Sequence, residues 1–217
     1  MSFNALKIIF RLDGTGIYYD PFEPIMLDSL LAWCLMPFHA SGIRPERDDK
    51  PFDISLPLAK WKINGSWGWK ASALFPEGQT AESLQFWRKR FRTARVEVIK
   101  GKPDIRSGAY REYHSPIPLL LTHRMVAYVV GDRRNIRKAL QKHLKYLGKK
   151  RAYGKGSILG IEVEVIEQDF SLTNKDGLAM RWLPDDAGIR LVRPRPPYWN
   201  NCGKIRCCEI LERRTII

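Results

Sequence analysis

The first stretch that could carry chemistry is GKKRAYGKG, which runs from Gly148 to Gly156. Its glycines would let the backbone approach a ligand closely, and its cations favour a polyanion. A P-loop needs the pattern G-x-x-x-x-G-K-[ST] between a strand and the following helix. Here five residues separate Gly148 from Gly154, a glycine follows Lys155, and the stretch is predicted to lie between a helix and a strand. The pattern excludes a P-loop and a dinucleotide fingerprint. Two interpretations of the stretch remain: a solvated basic turn and a contact with nucleic acid.

The distribution of charge favours nucleic acid over a solvated turn. The chain has 217 residues and a net charge of +14. The block from Phe86 to Lys155 contains 20 Lys and Arg but four acidic residues, and the rest of the chain has a net charge of −2. Cations concentrated in one block indicate a polyanionic partner, with nucleic acid first and a membrane surface second.

The stretch could grip RNA in two ways. Backbone N–H groups at Gly154 and Gly156 could meet phosphates, while Tyr153 could stack on a base or ribose. The residues predicted to bind RNA here are Gly148, Lys149, Lys150, Arg151, Tyr153, Gly154, Lys155 and Gly156, with Arg134 and Lys138 on the preceding helix.

Periodic patterns predict the elements that position this stretch. Alternation from Leu6 to Leu12 predicts a half-buried strand, and the apolar run between Pro24 and Pro37 predicts a buried helix. Two further strands, 54–63 and 67–75, would meet at the turn Asn64-Gly65. The continuously apolar run from Met125 to Val130 predicts a central strand.

The stretch itself follows a predicted helix. Asp132 is a good N-cap, apolar residues recur at helical spacing, and Gly148 occupies the place of a C-cap glycine. The strand that follows carries Glu162 and Glu164, and with Glu167 these acids disfavour RNA lying across it. The chain also lacks the RNP1 pattern of an RRM.

The order of elements predicts an α+β fold with a ferredoxin-like βαββαβ core. This core spans residues 1–168 and includes a basic insertion at about 86–123, whose first residues could be helical. Residues 169–217 form an irregular extension packing on the core or a partner. Within it, Pro196–Trp199 is an interface candidate, because a proline-stiffened aromatic segment loses little entropy on docking.

Several stretches resemble a known family over nearly the whole chain: IMLDSLLAW (25–33), LPLAKW (56–61), DIRSGAYREY (104–113), LGKKRAYGKGSI (147–158), MRWLP (180–184) and RPPYWN (195–200). Together with the glycine-rich loop before the last core strand, they resemble the RAMP superfamily of CRISPR proteins. Within it, the chain is similar to the Cas-five-like subunit of type IV effector complexes.

The resemblance implies a non-catalytic subunit in antiviral defence, which holds the 5′ handle of the guide RNA. Its implied partners are Cas-seven-like backbone subunits, which it caps, a large subunit, a Cas-six-like endonuclease and target DNA near the guide. The resemblance also places a thumb within Arg95–Leu121. The residues inferred to contact RNA there are Lys100, Lys102, Arg106, Tyr110 and Arg111.

An enzymatic alternative remains, because some RAMP relatives cleave repeat RNA without a metal and use a general base such as histidine. His114, at the end of the insertion, and His143, on the second helix, are the candidates for such a base. A free-standing RNA-binding module outside any CRISPR assembly is a third hypothesis. The main hypothesis assigns no catalytic residue.

The cysteines predict neither a disulfide framework nor a metal site. Cys202, Cys207 and Cys208 lack the paired spacing of a zinc ribbon, and no histidine lies near them. We therefore expect no metal and no cofactor. The cysteine pattern, with no secretory signal or apolar run long enough for a membrane span, predicts a cytoplasmic protein.

Overall fold

The structure is a computed structural model that describes residues 3–36, 54–90, 104, 106, 111–149 and 153–211. Its main sheet has four strands in the order β5 (Phe75–Pro76), β8 (Arg124–Gly131), β1 (Asn4–Leu12) and β9 (Ile158–Val165). Every neighbouring pair in this sheet is antiparallel. The predicted strands at the start of the chain and at Met125–Val130 are therefore confirmed, and both are central.

Two helices cover one face of this sheet. They are α1 (Leu27–Cys34) and α2 (Arg133–His143). Leu6, Ile8 and Phe10 of β1 point into a core that both helices share, with Leu31 and Leu140 among its members. Burying each such side chain contributes about 1.5–3 kcal/mol, so this interface is the main source of stability. The mixed architecture, with mostly antiparallel sheets, confirms the α+β class.

The second helix begins as predicted but ends early. The Asp132 side chain accepts a hydrogen bond from the N–H of Asn135 at 3.0 Å, which confirms the N-cap. The helix ends at His143, and Leu144 is already extended, so the prediction that Gly148 is a C-cap is wrong. Leu144 and Leu147 are buried in the core, and their burial draws the chain away from the helix axis.

The basic insertion starts with a hairpin rather than with a helix. Strands β6 (Thr80–Lys89) and β7 (Tyr113–Thr122) pair over ten residues, and β7 also pairs with the short β2 (Ile17–Tyr18). The suggestion that its first residues are helical is therefore wrong, because cross-strand pairing with β7 decides the conformation of β6. The alternation of RVEVIK (95–100) predicts a strand within the insertion, and that segment lies outside the described residues.

A second hairpin confirms the predicted turn. Strands β3 (Lys60–Ile63) and β4 (Ser66–Trp69) flank Asn64 and Gly65, both of which have positive φ angles, 48° and 71°. Positive φ at both central residues is the geometry of a type I′ turn. The strands are shorter than expected, and they form a separate two-stranded sheet.

The C-terminal extension lies mostly outside helices and strands. It contains the paired strands β10 (Arg190–Val192) and β11 (Ile205–Cys207), and Trp182 and Cys207 are buried in a cluster with Met26 and Ala73. This part of the extension therefore packs on the core.

A buried polar network holds the extension to the core. The Arg181 guanidinium donates hydrogen bonds to the carbonyl oxygens of Trp69, of Ala71 at 2.8 Å and of Pro194 at 2.6 Å. It also lies 3.3 Å from a carboxylate oxygen of Asp28, and both side chains are fully buried. The Tyr198 hydroxyl lies 2.8–3.1 Å from both groups.

This network joins three of the stretches that carry the family resemblance. Asp28 belongs to IMLDSLLAW, Arg181 to MRWLP and Tyr198 to RPPYWN. Burial raises the pKa of the Asp28 carboxyl, an effect that Arg181 opposes, and burial also raises the pKa of Tyr198 well above its ordinary value. These three stretches therefore meet at an internal junction and serve the fold there.

Candidate nucleic-acid interface

The glycine-rich loop is fastened at its base. The N–H of Leu147 donates to the carbonyl oxygen of Gly156, and the N–H of Gly156 donates to that of Gly16, both at 2.8 Å. Gly148 has a φ of 85°, and a methyl group there would lie 2.8 Å from a side-chain carbon of Ile17. The two ends of the loop therefore form a closed base, which is held against the start of β2.

The two later glycines have different environments. A methyl group on Gly156 would overlap the carbonyl oxygen of Leu147, and the N–H of Gly156 is already engaged. Gly154 has a φ of 70°, and a methyl group there would meet nothing within 4 Å. Gly156 therefore shapes the base of the loop, while Gly154 offers an accessible backbone for the approach of a ligand.

The described cations of the loop are close to the surface. The Lys149 ammonium pairs with the Glu23 carboxylate at 2.8 Å, and both side chains are about two-thirds exposed. The Lys155 ammonium donates to the carbonyl oxygen of Thr15 at 2.8 Å. Lys150 and Arg151, which were predicted to bind RNA, lie outside the described residues.

Helix α2 presents a basic outer face. Ile136, Ala139 and Leu140 face the core, while Arg134 and Lys138 are exposed. Neither cation forms an ion pair with any described residue. Arg134 lies near the first turn of α2, roughly 14 Å along the axis from the end that leads to the loop. The helix therefore extends the positive surface of the loop.

The structure brings the loop and the insertion together. Tyr153, which is 57% exposed, makes an edge-on contact with Trp87 of β6 at 5.8 Å between ring centroids. Trp87 makes a similar contact with Tyr113 of β7 at 5.5 Å. Two basic segments that are 66 residues apart in the chain therefore meet through an aromatic cluster.

The remaining predicted contacts are only partly described. Arg106 and Arg111 are exposed in the part of the insertion beyond β6 and before β7. Lys100, Lys102 and Tyr110 lie outside the described residues. The thumb assignment therefore stays a prediction.

Sequence reasoning missed Gln85, Trp87 and Tyr18 as members of this region. The Tyr18 hydroxyl donates to Oε1 of Gln85 at 2.8 Å. Gln85, Trp87 and Lys89 alternate along β6, which would have indicated a shared face if the segment had been interpreted as a strand. Tyr18 had no such signal, because its proximity follows from the pairing of β2 with β7.

The main sheet differs from this surface because the cations of β1 are paired with acidic side chains. Arg11 lies 3.0 Å from Glu162, and the Lys7 ammonium donates to Glu77 at 2.6 Å. The hydrogen bond from Lys7 to Glu77 raises the pKa of Lys7 above its ordinary value. Paired charges leave less net potential for a polyanion, in contrast to α2.

The described histidines and cysteines form no metal centre. In the described ranges no group of three or more His, Cys, Asp or Glu side chains is arranged to hold an ion. Cys207 and Cys208 are buried, Cys202 is exposed, and burial raises the pKa of Cys207 to about 12.

His114 is engaged with a cation. Arg88 Nε donates to Nε2 of His114 at 2.9 Å, and the ring lies against Phe86 at 4.6 Å. The lone pair of Nε2 is therefore occupied by the hydrogen bond from Arg88 in this structure.

No described helix is long and apolar enough to cross a membrane.

Comparison with known proteins identifies the family. The model of a family described as CRISPR type IV associated protein Csf3 matches residues 4–101 and 89–209. No curated protein matches the chain. Because the two matched segments span nearly the whole chain, the protein belongs to this family, which confirms the resemblance to type IV CRISPR proteins.

Proposed function

We propose, from membership in the Csf3 family of CRISPR type IV associated proteins, that this protein is the RNA-binding, non-catalytic subunit that holds the 5′ handle of the guide RNA. The observation that carries the proposal is the meeting of the glycine-rich loop with the basic hairpin at Trp87 and Tyr153. It forms one surface with exposed cations, an open glycine and aromatic rings, which together suit single-stranded RNA.

A ferredoxin-like core of the RAMP type accounts for how this surface is displayed. The strand order β9–β1–β8–β5, antiparallel throughout, with helices following β1 and β8, supports that assignment. In this arrangement the loop leads from α2 into the edge strand β9.

RNA would be held mainly by its phosphates. Gly154 admits a phosphate oxygen close to the backbone, while Lys149, Lys155 and the outer face of α2 supply screened positive charge. The paired charges on β1 and β9 support a path along the loop and the hairpin rather than across the sheet.

Assembly into a multisubunit type IV complex follows from the family, and the particular contacts are part of the proposal. We place a Cas-seven-like backbone subunit, a large subunit, a Cas-six-like endonuclease and target DNA among the partners. Trp199 is 71% exposed beside the partly buried Tyr198, which supports a docking role for the Pro196–Trp199 segment.

The role in RNA binding is tested by removing charge from the loop. In the variant Lys149→Ala/Lys150→Ala/Arg151→Ala/Lys155→Ala, loss of four phosphate contacts lowers the slope of log affinity against log salt by about 3. The measurement is binding of a repeat-derived RNA by fluorescence polarisation between 50 and 300 mM salt, conditions chosen to span strong and weak screening.

A matched variant controls for total charge. Lys62, Lys175, Lys204 and Arg206 are exposed cations outside the basic block, and replacing them with alanine changes the net charge equally. We expect that variant to keep the wild-type slope. Equal slopes in all three proteins would overturn the role of the loop, and cleavage of the RNA in EDTA that His114→Ala abolishes would overturn the non-catalytic role.

A further inference from the structure

A small hollow lies where the hairpin meets the glycine-rich loop. Its volume is about 150 Å³. The residues that line it are Tyr18, Gln85, Phe86, Trp87, Ile117 and Tyr153. Sites for whole small-molecule ligands usually measure about 300–1,000 Å³, so this hollow has room for a single flat ring rather than a nucleotide cofactor.

The walls of the hollow suit a flat ring. The planes of Tyr153 and Trp87 are inclined at 69°, an edge-on arrangement in which the edge of one ring meets the face of the other. Tyr153 is 57% exposed, so it keeps a face on which a third ring can stack. Trp87 is itself braced by Tyr113 from the neighbouring strand, which limits its freedom before any ligand binds.

Gln85 gives the hollow a polar group that can act as a hydrogen-bond donor. Its Oε1 accepts the hydrogen bond from the Tyr18 hydroxyl at 2.8 Å. No hydrogen bond within the described ranges uses the Gln85 amide NH₂. With the oxygen occupied, the group that remains is a donor, which favours a ring that presents a carbonyl oxygen.

Charge next to the hollow suits the two phosphates that flank a nucleotide. Lys155 lies two residues after Tyr153, and Lys89 shares the face of β6 that carries Gln85 and Trp87. A base that enters the hollow would thus leave its backbone between the loop and the hairpin, within reach of cations on both sides.

We propose that this hollow binds one nucleobase of the RNA, splayed out of the strand and stacked on Tyr153, with the Gln85 amide donating to a base carbonyl. The proposal rests on the proposed RNA-binding function and adds to it a place where a base is selected. Uracil, with two carbonyl groups, is favoured over adenine, which has none.

The test uses two oligonucleotides, U12 and A12, and three single-residue variants. Loss of a stacked base weakens binding about 5- to 100-fold, so Tyr153→Ala should weaken U12 binding by this range and Tyr153→Phe should preserve it. Because no phosphate contact is removed, the salt dependence of Tyr153→Ala should stay that of the wild type. Gln85→Ala should abolish the preference for U12 over A12.

Tyr146→Ala is the matched control, because Tyr146 is an exposed tyrosine of the same region that does not line the hollow. Urea denaturation of each variant establishes that it is folded. Wild-type affinity for U12 in Tyr153→Ala, together with an unchanged base preference in Gln85→Ala, would overturn the base site while RNA binding stands. A wild-type protein that binds neither oligonucleotide nor the repeat-derived RNA would instead overturn the proposed function.

Discussion

Two regions of the protein place a cationic side chain and a tyrosine in opposite environments. In the interior, Arg181 and Asp28 are fully buried, and Tyr198 completes their network. At the surface, Lys149 and Tyr153 stand in or near solvent on a loop whose base is closed. The first region fixes one arrangement of the chain, and the second presents groups that a ligand can reach.

The difference shows that a motif that holds the fold together and a motif that binds a ligand need different physical tests. A buried cation is stabilised by hydrogen bonds to specific neighbours. Arg181 donates to three backbone carbonyl groups and to Asp28. An exposed cation such as Lys149 keeps most of its hydration and interacts with a polyanion over a distance set by salt. Residue type alone does not separate these roles, whereas burial does.

The largest expected effect comes from breaking the interior network. Arg181→Leu leaves the buried Asp28 carboxylate without its cation and removes the donor from three carbonyl groups, so we expect a loss of about 3–5 kcal/mol in the free energy of unfolding. Urea denaturation followed by tryptophan fluorescence measures it.

Tyr198→Phe provides a milder variant if Arg181→Leu does not fold. It removes one hydroxyl that interacts with Asp28 and Arg181, and it should cost about 1–3 kcal/mol. RNA binding by this variant should stay that of the wild type at temperatures where it is folded. Wild-type stability in both variants would contradict the assignment of this network as the anchor of the C-terminal extension.

The elements with strong local signals could be predicted from the sequence. The alternation of β1, the apolar run of β8, the Asp132 cap and the Asn64-Gly65 turn each depend on neighbours in the chain, and each is present. The early end of α2 could not be predicted, because it depends on the burial of Leu144 and Leu147 in a core assembled from distant residues.

The candidate site was predictable only where its features depend on neighbours in the chain. The glycine loop is visible as a local pattern, but its contact with Trp87 depends on the pairing of β6 with β7 and on the docking of that hairpin near the loop. The different roles of Gly154 and Gly156 depend on what surrounds each backbone atom, since both have the same residue type and nearly the same φ angle.

The two glycines offer an intermediate test within the surface region itself. Gly156→Ala forces a methyl group against the Leu147 carbonyl oxygen at a left-handed φ, so it should lower the free energy of unfolding by roughly 2–4 kcal/mol. The methyl group of Gly154→Ala would contact no neighbour. This variant should lose only the cost of a left-handed φ angle in alanine, about 1 kcal/mol. Differential scanning fluorimetry and urea denaturation measure the difference between them.

RNA binding by Gly154→Ala and Gly156→Ala tests whether Gly156 shapes the base of the loop while Gly154 approaches the RNA. Gly154→Ala, although it is the milder change, should weaken RNA binding at temperatures where both variants are folded, because its methyl group occupies the space that a phosphate would enter. Equal stability losses in the two variants would contradict the distinction between a structural base and an accessible tip.

The smallest effect on stability is expected at the exposed pair of Glu23 and Lys149. Its atoms lie 2.8 Å apart, closer than the 3.3 Å between Arg181 and Asp28, yet both side chains are largely in solvent. Solvent screening limits such a pair to below about 1 kcal/mol, so Glu23→Gln should leave the urea midpoint almost unchanged. It should nevertheless strengthen RNA binding about two- to threefold in 50 mM salt, because it removes a negative charge beside the loop.

Glu167→Gln is the matched control, since it removes one exposed negative charge that follows β9 and forms no ion pair within the described part of the chain. Its RNA affinity should change less than that of Glu23→Gln, and the difference between the two variants should shrink in 300 mM salt as screening increases. A stability loss in Glu23→Gln as large as that of Arg181→Leu would mean that distance rather than burial sets the strength of these pairs. Equal RNA affinities of the two glutamine variants at low salt would remove Lys149 from the binding surface and leave the hairpin and α2 as its cationic part.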